Sequence, residues 1–154
     1  MNITNRWISA AVAIAIVGAS IAASGAEPRK VGASDIPAQT RAIGEAIASI
    51  ASTKQAVAQY RLNHDGFPAS NAEAGVRPAS AFASDTVKSV SIGAEGVIDT
   101  TLTALSGVDD GVIRFRPTLA PESDQGQVQW VCTSASYADI SDLTTGTCTH
   151  TNQP

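Results

Sequence analysis

Two cysteines, Cys132 and Cys148, stand close together near the end of the chain, within "VQWVCTSASYADISDLTTGTC". Thiols so placed could form a disulfide, half of a metal site, or a pair of buried free thiols. The other side chains able to do chemistry are scattered. Asp109-Asp110-Gly111 could open a calcium loop, but the regular spacing of oxygen ligands is missing, and two adjacent acids before a strand read as a turn. Asp139 and Asp142 lie between the cysteines, where solvent, calcium or a protein partner would each accept them. His64 ends a helical stretch, where a cationic group favours the negative end of the helix dipole. No serine or cysteine nucleophile with an orienting acid can be assembled around it, so the chain reads as a non-enzyme. Zinc is disfavoured by the single close cysteine pair, the absence of C-x-x-C spacing and the poor geometry of His150 two residues beyond Cys148. Neither a metal nor a cofactor is expected.

The other end of the chain decides among the thiol readings. "MNITNRWISAAVAIAIVGASIAASGAEPRK" places Arg6 ahead of a charge-free stretch, residues 7–26, that ends in "SGA". This is the pattern of a secretory signal peptide over residues 1–26, with the cut before Glu27. A retained membrane anchor is the alternative, since about 20 uncharged residues just span a bilayer. The stretch is rich in Ala, Ser and Gly, however, which gives it only modest membrane affinity. Export takes the chain out of the thiol-reducing cytosol and selects the Cys132–Cys148 disulfide. A net charge of −4 with no basic run argues against nucleic acid as a partner.

These residues must be positioned by a small domain. Residues 27–34 read as a short leader and residues 35–154 as one folded unit. A helix is predicted from an Asp35 cap, with Pro37 in the first turn, to about His64, where Gly66 and Pro68 supply the stop. Ile43, Ile47, Ile50 and Val57 fall on one face, filled in by Ala46 and Tyr60. Residues 69–86, rich in Ala, Ser and Gly, read as a loop with room for one helical turn. "VKSVSIGAEGVIDTTLTAL" then has period-two runs on either side of "GAEG", a hairpin signal. "GVIRFRP" sets Ile113 and Phe115 against Arg114 and Arg116, and the two arginines would meet solvent or an acidic partner. "GQVQWVCTS" puts Val128, Trp130 and Cys132 on one face. The fold class is therefore α+β, with one long N-terminal amphipathic helix packed on a three- to four-stranded antiparallel sheet. Residues 134–154 show little periodicity and are expected to be held against the last strand by the disulfide.

In this order the elements resemble the globular part of a type IV pilin, over about residues 36–148. "TRAIGEAIASIASTKQAVAQYRLNHDGFP" is similar to the second half of the pilin spine helix and its exit. "VKSVSIGAEGVIDTTL" is similar to the first hairpin, with the step Gly96-Val97-Ile98. "GVIRFRPTLAP" resembles the third strand, and the cysteine segment resembles the W-x-C strand and the disulfide-bounded loop of many pilins. By this resemblance Cys132 and Cys148 bound an exposed loop and Trp130 anchors its base strand in the core; Tyr137, the aromatic in that loop, is the expected contact residue, with Asp139 and Asp142 as further binding candidates. The chain departs from the family upstream. A type IV prepilin has a Gly before its cleavage site, then Phe or Met, then an apolar helix with an early Glu. Residues 7–26 hold no acid and no such Gly precedes Trp7, so an ordinary export signal is read in place of that half-helix. The loop also lacks the proline common just before the second cysteine.

The resemblance implies a non-catalytic exported protein that serves a type IV pilus or cell adhesion by protein–protein binding. Its place would be periplasmic, pilus-associated or extracellular in a Gram-negative bacterium. Its partners would be pilins, pilus-assembly proteins or a surface receptor, with the membrane involved only if residues 7–26 are retained. Two other readings stand beside it. One is a membrane-anchored pilin subunit, and the other is a free periplasmic or secreted binding protein unrelated to pili.

Overall fold

The spacing of Ile43, Ala46, Ile50 and Val57 puts all four on one side of a helical run, and all four are buried in the computed structural model, which describes residues 36–120 and 127–152. The expected signal segment, the leader and the Asp35 cap lie outside the described residues. Helix α1 spans Ile36–Ser49 and α2 spans Ala51–Asn63. Ile50 separates them with φ −92° and ψ 2°, yet its carbonyl accepts the Lys54 amide at 2.9 Å, so the two form one long helical path. No helix among the described residues is long and apolar enough to cross a membrane.

The path ends at His64, as the sequence predicts, but by a different device. His64 turns extended (φ −140°, ψ 155°), and side chains take up the last carbonyls. Asn63 Nδ2 donates to Gln59 O, His64 Nδ1 lies 2.9 Å from Tyr60 O, and Arg61 Nη1 donates to His64 O. Gly66 is not among the positive-φ glycines, so no left-handed turn there stops the helix. Tyr60 also differs from expectation. It is only partly buried, because its hydroxyl donates to Glu73 and its ring stacks on His64 at 3.9 Å.

Five strands follow: β1 Val87–Ile92, β2 Ile98–Leu102, β3 Val112–Leu119, β4 Val128–Ser134 and β5 Cys148–His150. They lie in the sheet in chain order. The first four pair antiparallel, as predicted, whereas β5 pairs parallel with β4. A three-residue strand is too short to show alternation, which is why residues 134–154 read as aperiodic. The hairpin at "GAEG" forms, and Gly96 makes its turn possible. Gly96 has φ +72°, and a Cβ there would lie 2.9 Å from Phe67 Cβ and 3.1 Å from Val57 Cγ1.

The core sits between the helix and one sheet face. Ile43, Ile50 and Val57 meet Val90, Ile98, Leu102, Ile113 and Phe115, all essentially solvent-free. Burial of each such side chain contributes about 1.5–3 kcal/mol. With few aromatics in the sequence, β-branched residues supply most of this burial. Trp130 packs against the core but stays only half-buried.

Candidate functional site

The register of the last two strands sets Cys132 directly beside Cys148, with Cα atoms 4.5 Å apart, and the two form a disulfide. Both cysteines are buried. The bond closes the loop between β4 and β5 at its base. Within the loop a short helix, α3 (Ile140–Leu143), is knitted by Leu143 N to Asp139 O and Thr144 N to Ile140 O, at 3.1 and 3.0 Å. Thr144 Oγ1 donates to Ile140 O and accepts the Cys148 amide at 3.0 Å, tying α3 to the start of β5. Ile140 enters the core fully buried.

Tyr137 is not on the surface of this loop. It is 3% exposed, and its hydroxyl lies 2.5 Å from Ser106 Oγ. Its ring occupies the space over Gly111 so closely that any Cβ there would collide with it. Burial raises the phenol above its ordinary range, and the Ser106 hydrogen bond pulls it part of the way back. The expectation that Tyr137 would be a contact residue is therefore corrected: an aromatic between two stapled strands loses more area from water by turning inward. Asp139 and Asp142 do remain exposed, at the start of α3 and within its first turn. The structure thus places one acid just before a short helix and the other within it, and uses the tyrosine to hold that helix in place.

The remaining candidates fall elsewhere. Asp109 and Asp110 form a turn and share the Lys88 ammonium at 2.7 and 2.8 Å. Lys88 reaches them because a β-bulge between Val87 and Ser89 leaves it out of the ladder. These hydrogen bonds hold Lys88 above its ordinary pKa, and the one from Lys88 holds Asp109 below its own. Arg114 makes a two-point contact with Asp99, directly across from it, at 2.7 and 2.9 Å. Arg116 is exposed. His64 is bound into the helix end with Tyr60, and Glu73 beside them is held low by the Tyr60 hydroxyl and the Ala69 amide. Among the described residues no group of three His, Cys, Asp or Glu side chains is placed to hold a metal.

Lys54 is the residue the periodicity did not single out. It lies half-buried with Nζ 3.9 Å above the Phe115 ring and 5.5 Å from that of Trp130. Desolvation lowers its pKa. Only the cross-strand packing of β3 on β4 creates that aromatic platform, so no local pattern announces it.

The chain is similar in sequence to known proteins. The chain is 34% identical over 90 residues to a fimbrial protein of Neisseria meningitidis serogroup B, covering 58% of this chain and 52% of that protein. It is 35% identical over 91 residues to a type IV major pilin protein, PilE1, of Neisseria gonorrhoeae, covering 58% and 49%. The match thus spans about half the length of these relatives. The family model for pilin, a bacterial filament protein, matches residues 40–149, from the first turns of α1 to β5. With the disulfide and nearly all of the helix and sheet inside that match, the chain belongs to the pilin family.

Proposed function

We propose that this protein is a non-catalytic, pilus-associated component of a Gram-negative envelope that works by protein–protein contact at its disulfide-bounded loop. The observation that carries the proposal is the presentation of Asp139 and Asp142. Asp139 is exposed just before α3 and Asp142 on it, and α3 is pinned by the disulfide, by buried Ile140 and by Tyr137. A loop already ordered before binding loses little conformational entropy when a partner engages it. Two neighbouring carboxylates favour a partner with a basic patch. Pilins or pilus-assembly proteins are the partner class that family membership supports.

Affinity capture from the native envelope tests this reading. It should recover pilins or pilus-assembly proteins, and Asp139→Ala with Asp142→Ala should weaken the recovery. Equal recovery by the double variant would remove the loop from the contact. Capture of no pilus component would favour a free periplasmic or secreted binding protein.

A second reading, a membrane-anchored filament subunit, draws support from relatives named as major pilins. N-terminal sequencing separates the two. A mature chain starting at Glu27 fits the exported form, and one retaining Trp7 in the inner membrane fits the anchored subunit.

A further inference from the structure

The helix covers one face of the sheet, and the opposite face carries a row of polar side chains that crosses every strand. Ser91 on β1 stands opposite Asp99 on β2, and Asp99 opposite Arg114 on β3. Arg114 in turn stands opposite Thr133 on β4, and Thr133 beside Thr149 on β5. Neighbouring strands place successive members about 4.8 Å apart. Along part of the row runs an open groove of about 320 Å³, whose lining includes Asp99, Thr101, Val112, Arg114 and Thr133 and extends past β4 to Ser136 and Thr151.

The charge of the groove limits what it can hold. Arg114 Nε and Nη2 donate to the two oxygens of Asp99, so the floor contains one cation and one anion in a closed pair. An anionic ligand would have to compete with Asp99, and a cationic one with Arg114. The pair still has unused hydrogen-bonding capacity, since Arg114 keeps Nη1 and each carboxylate oxygen keeps a lone pair. No hydrogen bond to another described residue engages the hydroxyls of Ser91, Thr101 or Thr133. Val112 and the threonine methyl groups provide apolar wall between these polar points. Donors and acceptors spaced along a neutral, partly apolar floor complement a ligand that is hydroxyl-rich at its edges and carbon-faced, as a pyranose ring is.

We infer that this groove binds a neutral saccharide, with the Asp99–Arg114 pair bridging its hydroxyls and Ser91 and Thr133 taking the flanking ones. The site adjoins the disulfide-bounded loop at Ala135 and Ser136, does not include Asp139 or Asp142, and does not depend on the role of those two acids. Lacking net charge, it should bind with an affinity that changes little with salt.

The test is titration of the ¹⁵N-labelled full-length protein with chitotriose, N-acetyllactosamine and cellotriose, with sialyllactose as the anionic comparison and an extended Ser/Gly hexapeptide as the peptide comparison. A neutral saccharide should shift the amides around Ser91, Asp99, Arg114 and Thr133. Thr133→Val, which keeps shape and removes one hydroxyl, should weaken binding about three- to tenfold. Asp99→Asn with Arg114→Gln should weaken it further, with the thermal midpoint followed to show that the variant is folded. Shifts confined to other surfaces, equal binding by Thr133→Val, or no response to any of the three neutral sugars would each overturn the assignment. Preference for sialyllactose would overturn the neutral class. Response to the hexapeptide alone would assign the face to a protein partner and overturn the saccharide.

Discussion

The hydroxyl of Tyr137 meets the hydroxyl of Ser106 at 2.5 Å, joining the disulfide-bounded loop to the turn after β2. Ser106 is itself fully buried and also donates toward the carbonyls of Thr103 and Val108. This small polar cluster, with Gly111 beneath the ring, fixes the loop's orientation. Tyr137→Phe removes only the hydrogen bond and should cost about 0.5–1.5 kcal/mol. Tyr137→Ala leaves a cavity and should cost about 3–5 kcal/mol. Gly111→Ala drives a methyl into the ring and should cost about 1–3 kcal/mol in the wild-type background. In Tyr137→Ala the same Gly111→Ala change should cost far less. Denaturant unfolding of the four-member cycle measures this coupling, and simple additivity would contradict it.

The buried phenol also predicts an alkaline transition. Its folded pKa lies above the ordinary value of 10.0, so its contribution is intact below about pH 10 and is lost as pH rises through the folded value. Wild type should therefore lose stability relative to Tyr137→Phe when pH rises past 10. Parallel unfolding curves at every alkaline pH would contradict the burial.

Two glycines test the hairpin. Gly96→Ala forces a side chain into a left-handed backbone already crowded by Phe67 and Val57, and should cost about 2–4 kcal/mol. Gly66→Ala meets nothing within 4 Å and should stay within about 0.5 kcal/mol of wild type. Thermal or chemical unfolding of both variants ranks them directly.

The disulfide predicts a native mass two protons lighter than the reduced chain and a peptide linking Cys132 to Cys148. Cys132→Ser should cost about 2–5 kcal/mol, as expected for a native bridge in a small domain. Two alkylatable thiols in freshly isolated native protein would contradict the pairing.

Thr53 and Thr100 bury hydroxyls that find no partner among the described residues. Thr53→Val and Thr100→Val keep the shape and remove the unpaired polar atom. Each should raise stability by about 1 kcal/mol. A loss of stability in either variant would mean that the hydroxyl is satisfied in solution.

The sequence by itself determined what depends on short-range pattern. The 3.6-residue recurrence of Ile43, Ile50 and Val57 specified the helix and its buried face, because an apolar stripe can leave water only by packing. Alternation around "GAEG" specified the first hairpin, and the two late cysteines, taken with an expected export signal, pointed to the disulfide that forms. Only the tertiary structure decided where side chains without a periodic signature would point. Tyr137 turned inward because Ser106 and Gly111, distant in the chain, offered a partner and a space. Lys54 became half-buried because β3 and β4 brought Phe115 and Trp130 under it. The parallel pairing of β5 and the polar row from Ser91 to Thr149 depend on cross-strand register. Register is set by the whole packed face and the turns, so no single segment of the sequence contains it.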